Sequence, residues 1–180
     1  MSNFRFLKAE FPSLYKKIRS AEDRVFTEPV STASYCRLVL EECMHLLYEQ
    51  EHLDKPFNAE LVALMSEPQA KALIPADLYT GLHIVRKTGN NAAHYGNRVN
   101  AADAKVSIKH LFAFLKWFAL NYGREQPELP GHFDDAFLPR VGAHDRALRE
   151  QQAEFENAQQ ALREQVAHLE REKEEVLQKV

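Results

Sequence analysis

A chain of 180 residues with a formal net charge of −3 has room for one domain with a buried core, plus an extension. The charge is uneven: residues 1–141 carry 17 Lys and Arg against 17 Asp and Glu, and residues 142–180 carry 6 against 9. A neutral first part excludes a strongly basic nucleic-acid clamp, which needs several uncompensated cations on one surface, and leaves room only for a local basic patch.

Ser2 or Asn3 is expected to cap a short opening segment from Phe4 to Phe11, and Pro12 suits the first turn of the next helix. In that helix Leu14, Ile18, Ala21 and Val25 recur at helical spacing, and Glu28-Pro29 is expected to end it. Lys16, Lys17, Arg19 and Arg24 face away and read as a solvated helix face. A long helix is predicted from Ser31 or Thr32 to about Glu51. Its apolar stripe through Tyr35, Cys36, Val39, Leu40, Cys43, Leu46 and Leu47 is wide enough for burial on more than one side.

After the break at Asp54-Lys55-Pro56, Asn58 is expected to cap a short helix over 59–65, and Pro68 to open another through Leu73. Pro75 opens the helix leading to Ile84–Tyr95, with Leu78, Leu82 and Val85 inward. Gly96-Asn97 is a stop signal, and Asn100 caps a helix whose stripe runs through Ala104, Ile108, Leu111, Leu115, Phe118 and Tyr122 to Gly123. From Glu125 proline and glycine accumulate, and Phe133, Phe137 and Leu138 are expected to lie along the bundle. Beyond Gly142, Leu148, Phe155, Leu162, Leu169 and Val176 recur every seven residues. The companion row Asp145, Gln152, Gln159, Val166, Lys173 and Val180 is apolar only near its end, a half-filled heptad seam. No run of period-two alternation competes. The fold class expected is all-α: a helical bundle over 1–124, a Pro/Gly-containing linker packed on it over 125–141, and a coiled-coil arm over 142–180.

Some chemistry is excluded. The opening residues lack a signal-peptide pattern, no apolar run approaches the roughly 20 residues of a membrane span, and no Gly-Lys-Ser/Thr phosphate loop is present. Cys36 and Cys43 lie seven residues apart on one predicted helix, roughly 10 Å by helical rise and too far for a disulfide. They read as buried thiols of a cytoplasmic protein. No His or Cys spacing suggests a metal.

The chemistry-bearing stretch is Ile84-Val85-Arg86-Lys87-Thr88-Gly89-Asn90-Asn91-Ala92-Ala93-His94-Tyr95. If the helix runs through Gly89, Arg86, Asn90 and His94 form one polar stripe at four-residue intervals. If it breaks there, Asn90 caps a second short helix with His94 one turn inside. Three uses are open. In the catalytic one, His94 takes a proton from a ribose 2′-hydroxyl, Arg86 stabilises phosphate charge and Asn90 orients one of them. In the structural one, Asn90 and His94 brace a neighbouring helix and Arg86 pairs with Glu41 or Glu42. In the third, Arg86, Lys87 and Arg98, with the free N–H groups of the helix start at Asn100, hold an anion such as a nucleic-acid phosphate.

The order of landmarks resembles a known family. Ser2–Lys8, Tyr35-Cys36-Arg37 with Leu40-Glu41, the Arg86–His94 stretch, the aromatic run Leu111–Trp117 and Phe133–Arg140 before a heptad segment are all similar to the N-terminal helical domain of the R subunit of type I restriction–modification enzymes and related DEAD/DEAH helicase-like proteins. The resemblance covers roughly residues 2–180. It implies a HEPN-like bundle acting as a non-catalytic interaction module in DNA restriction and phage defence. The implied partners are methyltransferase and specificity subunits and DNA, with coiled-coil self-association and no membrane. ATP and Mg2+ would belong to the parent polypeptide, and this chain would carry no cofactor. Active HEPN proteins are metal-independent ribonucleases with four to six residues between Arg and His. Here seven separate Arg86 from His94, and Gly89 stands directly before Asn90. That spacing favours the non-catalytic module over a HEPN-type endoribonuclease.

Overall fold

A computed structural model describes residues 1–94, 98–140 and 143–178, with helix backbone alone at 143, 144, 146 and 175–178. The described residues are all-helical, with no strand. The helices are α1 (Pro12–Glu22), α2 (Pro29–Gln50), α3 (Leu61–Ser66), α4 (Pro68–Leu73), α5 (Ala76–His94), α6 (Ala101–Tyr122) and α7 (Ala143–Gln178), with single 3-10 turns at Arg5–Leu7 and Asp135–Phe137. Two units are distinct, Met1–Gly142 and Ala143–Val180. The first unit includes the proline-bearing segment expected to lie along the bundle. The stop signal at Gly96-Asn97 and the seam position Val180 lie outside the described residues.

Helix α2 is the hub of the bundle, packing on α1, α5 and α6, while α5 also packs on α6. Its wide stripe makes this possible: Cys36, Val39, Leu40, Cys43, Met44 and Leu47 are all fully buried. Two helix starts fall elsewhere than the sequence pattern indicates. Helix α1 stops at Glu22, and Pro29 opens α2 instead of closing α1, because a proline lacking an N–H costs nothing at a first turn. Asn58 sits too early to cap α3; its Oδ1 accepts from the Glu60 backbone N–H at 3.2 Å. The short α3 is held by side chains, with Tyr48 Oη donating to the Leu64 carbonyl at 2.8 Å and Tyr79 Oη to that of Met65 at 3.1 Å.

The opening residues do not form a capped helix. Ser2 and Asn3 instead reach Glu22 at the end of α1, a carboxylate with no exposed surface. Ser2 Oγ donates to its Oε2 at 2.5 Å, and the Asn3 backbone N–H and Nδ2 donate to its Oε1 at 2.8 and 2.9 Å. Burial nonetheless pushes the Glu22 carboxyl above its ordinary value, and these donors offset part of the rise. Asn3 then continues the chain of bonds: it donates to the Asp134 carbonyl at 3.0 Å and accepts from the Asp134 N–H at 2.7 Å. Phe133 stacks edge-on against Phe4 and Phe112, and Leu138 is buried in the same core. Three of the four cations read on this outer face pair within the chain: Lys17 with Glu42, Arg19 with Glu22 and Asp23, and Arg24, just past α1, with Glu28; Lys16 is exposed.

Both cysteines are free and buried. Burial raises the Cys36 thiol to about 12 and lifts Cys43 well above its ordinary value. A raised thiol pKa leaves little nucleophilic thiolate, so neither cysteine should react with a maleimide at pH 8 until denaturant is added. Mass spectrometry of the native chain checks this. Glu22→Ala removes three bonds to a buried carboxylate and leaves the Ser2 and Asn3 donors without it. It should lower unfolding stability by about 2–4 kcal/mol, read from the denaturant midpoint, and speed hydrogen exchange in residues 2–8.

Candidate functional site

Helix α5 runs unbroken through Gly89, so of the two geometries open to the sequence the continuous stripe is the one formed. A mid-helix glycine normally costs about 1 kcal/mol against alanine. Here it has a steric reason: a Cβ on Gly89 would lie 2.5 Å from Arg37 Cβ and 2.8 Å from Arg37 Cδ. The α2 side chain therefore lies directly across the α5 backbone. On the α6 side Gly81 does the same for His110, whose Nδ1 would be 2.6 Å from an added Cβ.

Lying across Gly89 carries the Arg37 guanidinium to Asn90, where its Nε donates to Oδ1 at 2.9 Å. Its Nη1 is 3.5 Å from Glu41 Oε2. The two side chains join a cleft of about 240 Å3 lined by Arg37, Glu60, Leu61, Val62, Arg86, Asn90 and His94. Arg86, Asn90 and His94, singled out on spacing alone, thus meet around one space. Arg37 is the member that spacing did not show. Its signal was indirect: a glycine inside a helical pattern marks a close crossing, but not the residue that crosses.

Other expectations are not met. Arg86 does not pair with Glu41 or Glu42, because Arg37 lies beside Glu41 and Lys17 takes Glu42. The Arg86 Nε is buried and finds no hydrogen-bond partner among the described residues. Lys87 and Arg98 are exposed and do not line the cleft. The N–H groups expected to be free at the start of α6 are partly occupied by a capping box. Asp103 N–H donates to Asn100 Oδ1 at 2.9 Å, and Asn100 N–H to Asp103 Oδ2 at 3.2 Å, placing a carboxylate where an anion would dock.

Two guanidinium groups around a cleft of this size suit a tetrahedral oxyanion, since arginine presents a planar fork of donors. Glu60 at the rim and Glu41 temper the positive field. Nearby on α5, burial first, then Arg86, Lys87 and Lys71, hold the His83 pKa below its ordinary value. Arg86 and His94 are eight residues apart on one helix, roughly 12 Å along its axis. Both line the cleft, as do Asn90 and Arg37. Among the described residues no cluster of three or more His, Cys, Asp or Glu is placed to hold a metal, and no helix is long and apolar enough to cross a membrane. A larger hollow of about 550 Å3 lies between Ser2–Ala9 and residues 127–137. Its Ser2, Asn3 and Asp134 already bond one another or Glu22, so the smaller cleft is the better site.

A family model described as a domain of unknown function, DUF4145, matches residues 19–131, which run from the last turn of α1 through α6 and include every residue lining the cleft. The chain belongs to that family. Helix α7 lies outside the DUF4145 match, so the cleft is a feature of the DUF4145 region alone. No curated protein and no solved structure matches the chain.

Within DUF4145 region helix α5, Gly89→Ala should push Arg37 away from Asn90 and lower stability by about 1–3 kcal/mol through overpacking. Helix propensity alone predicts the opposite sign, so the direction of the denaturation shift decides between them.

Proposed function

We propose that the chain is a non-catalytic interaction module, the helical front piece of a protein resembling type I restriction R subunits. On this reading a HEPN-like bundle contacts the phosphate backbone of DNA at the α2–α5 cleft, and α7 is a coiled-coil arm. Methyltransferase and specificity subunits are the partners that go with this reading, and phage defence the process.

The observation that carries the nucleic-acid contact is the presence of two arginines, Arg37 and Arg86, on one cleft. A phosphate entering it would meet the Arg86 guanidinium on one side, and the Arg37 guanidinium, held by Asn90, stands ready for a second oxygen. One further feature favours binding over catalysis: Arg86 and His94 are eight residues apart on α5, roughly 12 Å along its axis.

Fluorescence anisotropy with a labelled DNA duplex tests this. Arg86→Ala should weaken binding across unrelated sequences and reduce the salt slope by about 1 for each phosphate left without its cation. Affinity that does not depend on Arg86 or Arg37 would remove the cleft from the interface.

One observation favours a second reading, a HEPN-type endoribonuclease: Arg37 brings a second guanidinium into the cleft that holds His94. His94 would then be the base for the 2′-hydroxyl, with Arg37 or Arg86 on the phosphate. Labelled RNA incubated with the chain and a chelator separates the two. The module predicts no cleavage, whereas the ribonuclease predicts cleavage that His94→Ala lowers by about 10²–10⁴-fold.

A further inference from the structure

Helix α7 carries an apolar row that is exposed among the described residues: Leu148, Phe155, Leu162 and Leu169 are 48%, 65%, 60% and 62% exposed. They recur every seven residues, with Val166 in the companion row also exposed. A row of this kind is covered by another helix, and the charges beside it say which helix and in which direction.

Take the Leu148 row as heptad position d. Position a is then Asp145, Gln152, Gln159, Val166 and Lys173, and position e is Arg149, Glu156, Arg163 and Glu170. The sign at e reverses with every heptad. In a parallel pair of identical helices, e meets g of the other helix, and g is Gln151, Ala158, Gln165 and Glu172, so almost no charge pairs form. A parallel pair also stacks each a residue on itself, which sets Lys173 on Lys173 and Asp145 on Asp145. In an antiparallel pair e meets e. Arg149 then faces Glu170 of the second copy, and Glu156 faces Arg163, so every facing pair is attractive. The same register places Phe155 against Val166 of the second copy, Leu162 against Gln159 and Leu169 against Gln152. Each polar a residue thereby meets an apolar one, and Lys173 lays its methylenes over Leu148.

We infer that α7 pairs with α7 of a second copy of this chain in an antiparallel orientation, centred between Glu156 and Arg163. This rests on α7 being a coiled-coil arm, and it identifies the arm's partner.

Sedimentation equilibrium of the full chain should show a monomer–dimer equilibrium. Arg149→Glu turns both Arg149–Glu170 pairs of the dimer repulsive and should raise the dissociation constant on the order of tenfold at low salt. The double change Arg149→Glu with Glu170→Arg should restore it, because the two charges face each other only in the antiparallel register. Orientation is read from disulfides, since the native Cys36 and Cys43 are buried and do not compete. A Gln152→Cys chain mixed with a Leu169→Cys chain should oxidise to the mixed dimer. Self-linked Gln152→Cys dimers in its place would overturn the antiparallel register while leaving the arm a coiled coil. A dimer indifferent to Leu162→Asp would place the interface elsewhere and overturn the arm itself. A monomer at the highest concentration the chain tolerates would overturn self-pairing and leave the row to another partner. None of these results bears on DNA binding at the cleft, which the Arg86 and Arg37 substitutions judge separately.

Discussion

The close approach of Arg37 to Gly89 is the contact on which the candidate site depends. A guanidinium-bearing side chain can lie across a helix backbone only where the helix has no Cβ, and Gly89 supplies that gap at the α2–α5 crossing. Once there, the side chain has little freedom: Asn90 accepts from its Nε, and Glu41, one turn along α2, flanks its Nη1. The same crossing makes the cleft, because α2 and α5 form two of its walls and the start of α3 the third. An arginine held in this way has lost rotamer entropy before any ligand arrives, which is the sense in which the cleft is organised in advance.

A second constraint works at the end of α1. Glu22 is a carboxylate with no access to water, so its oxygens must be met by donors from the protein. The donors come from residues 2 and 3, and Asn3 in turn bonds both polar groups of the Asp134 backbone. One buried charge therefore ties the first residues and the proline-bearing segment to the end of α1. Lys105 and Lys109 of α6 add ion pairs to Asp135 just beyond, and these cations hold its carboxyl below the usual range. A segment with Pro127, Pro130 and Pro139 forms little regular structure, yet it is ordered by side chains that come from distant parts of the sequence.

The two units divide the physics between them. Among the described residues of the first unit a core of apolar side chains is fully covered, and Lys17, Arg19 and Arg37 find carboxylates within the same unit. In α7 the reverse holds: a long helix keeps its apolar row exposed and sets charges of alternating sign beside it. A helix cannot bury its own stripe. The proposed antiparallel pairing answers that need with the residues α7 already has.

Much of this was legible in sequence because it is local. Periods of three and four placed α2 and α6, Pro12, Pro68 and Pro75 marked helix starts, Asn100 marked a cap, and Arg86, Asn90 and His94 stood out at four-residue steps. Each of these is set by residues within a turn or two of one another. What only the tertiary structure decided is which distant groups meet. Nothing in the neighbours of Arg37 says that it crosses Gly89, 52 positions away. Ser2 and Asn3 read as helix caps because a cap is the nearest use for such side chains, whereas the demand of a buried carboxylate 20 residues on outweighed it. Arg86 read as the partner of Glu41 or Glu42, yet closer cations took both. Periodicity sorts a helix into inner and outer faces. Hydrogen bonds and ion pairs go to whichever group the packing brings within about 3 Å, and that choice exists only once the helices have been laid against each other.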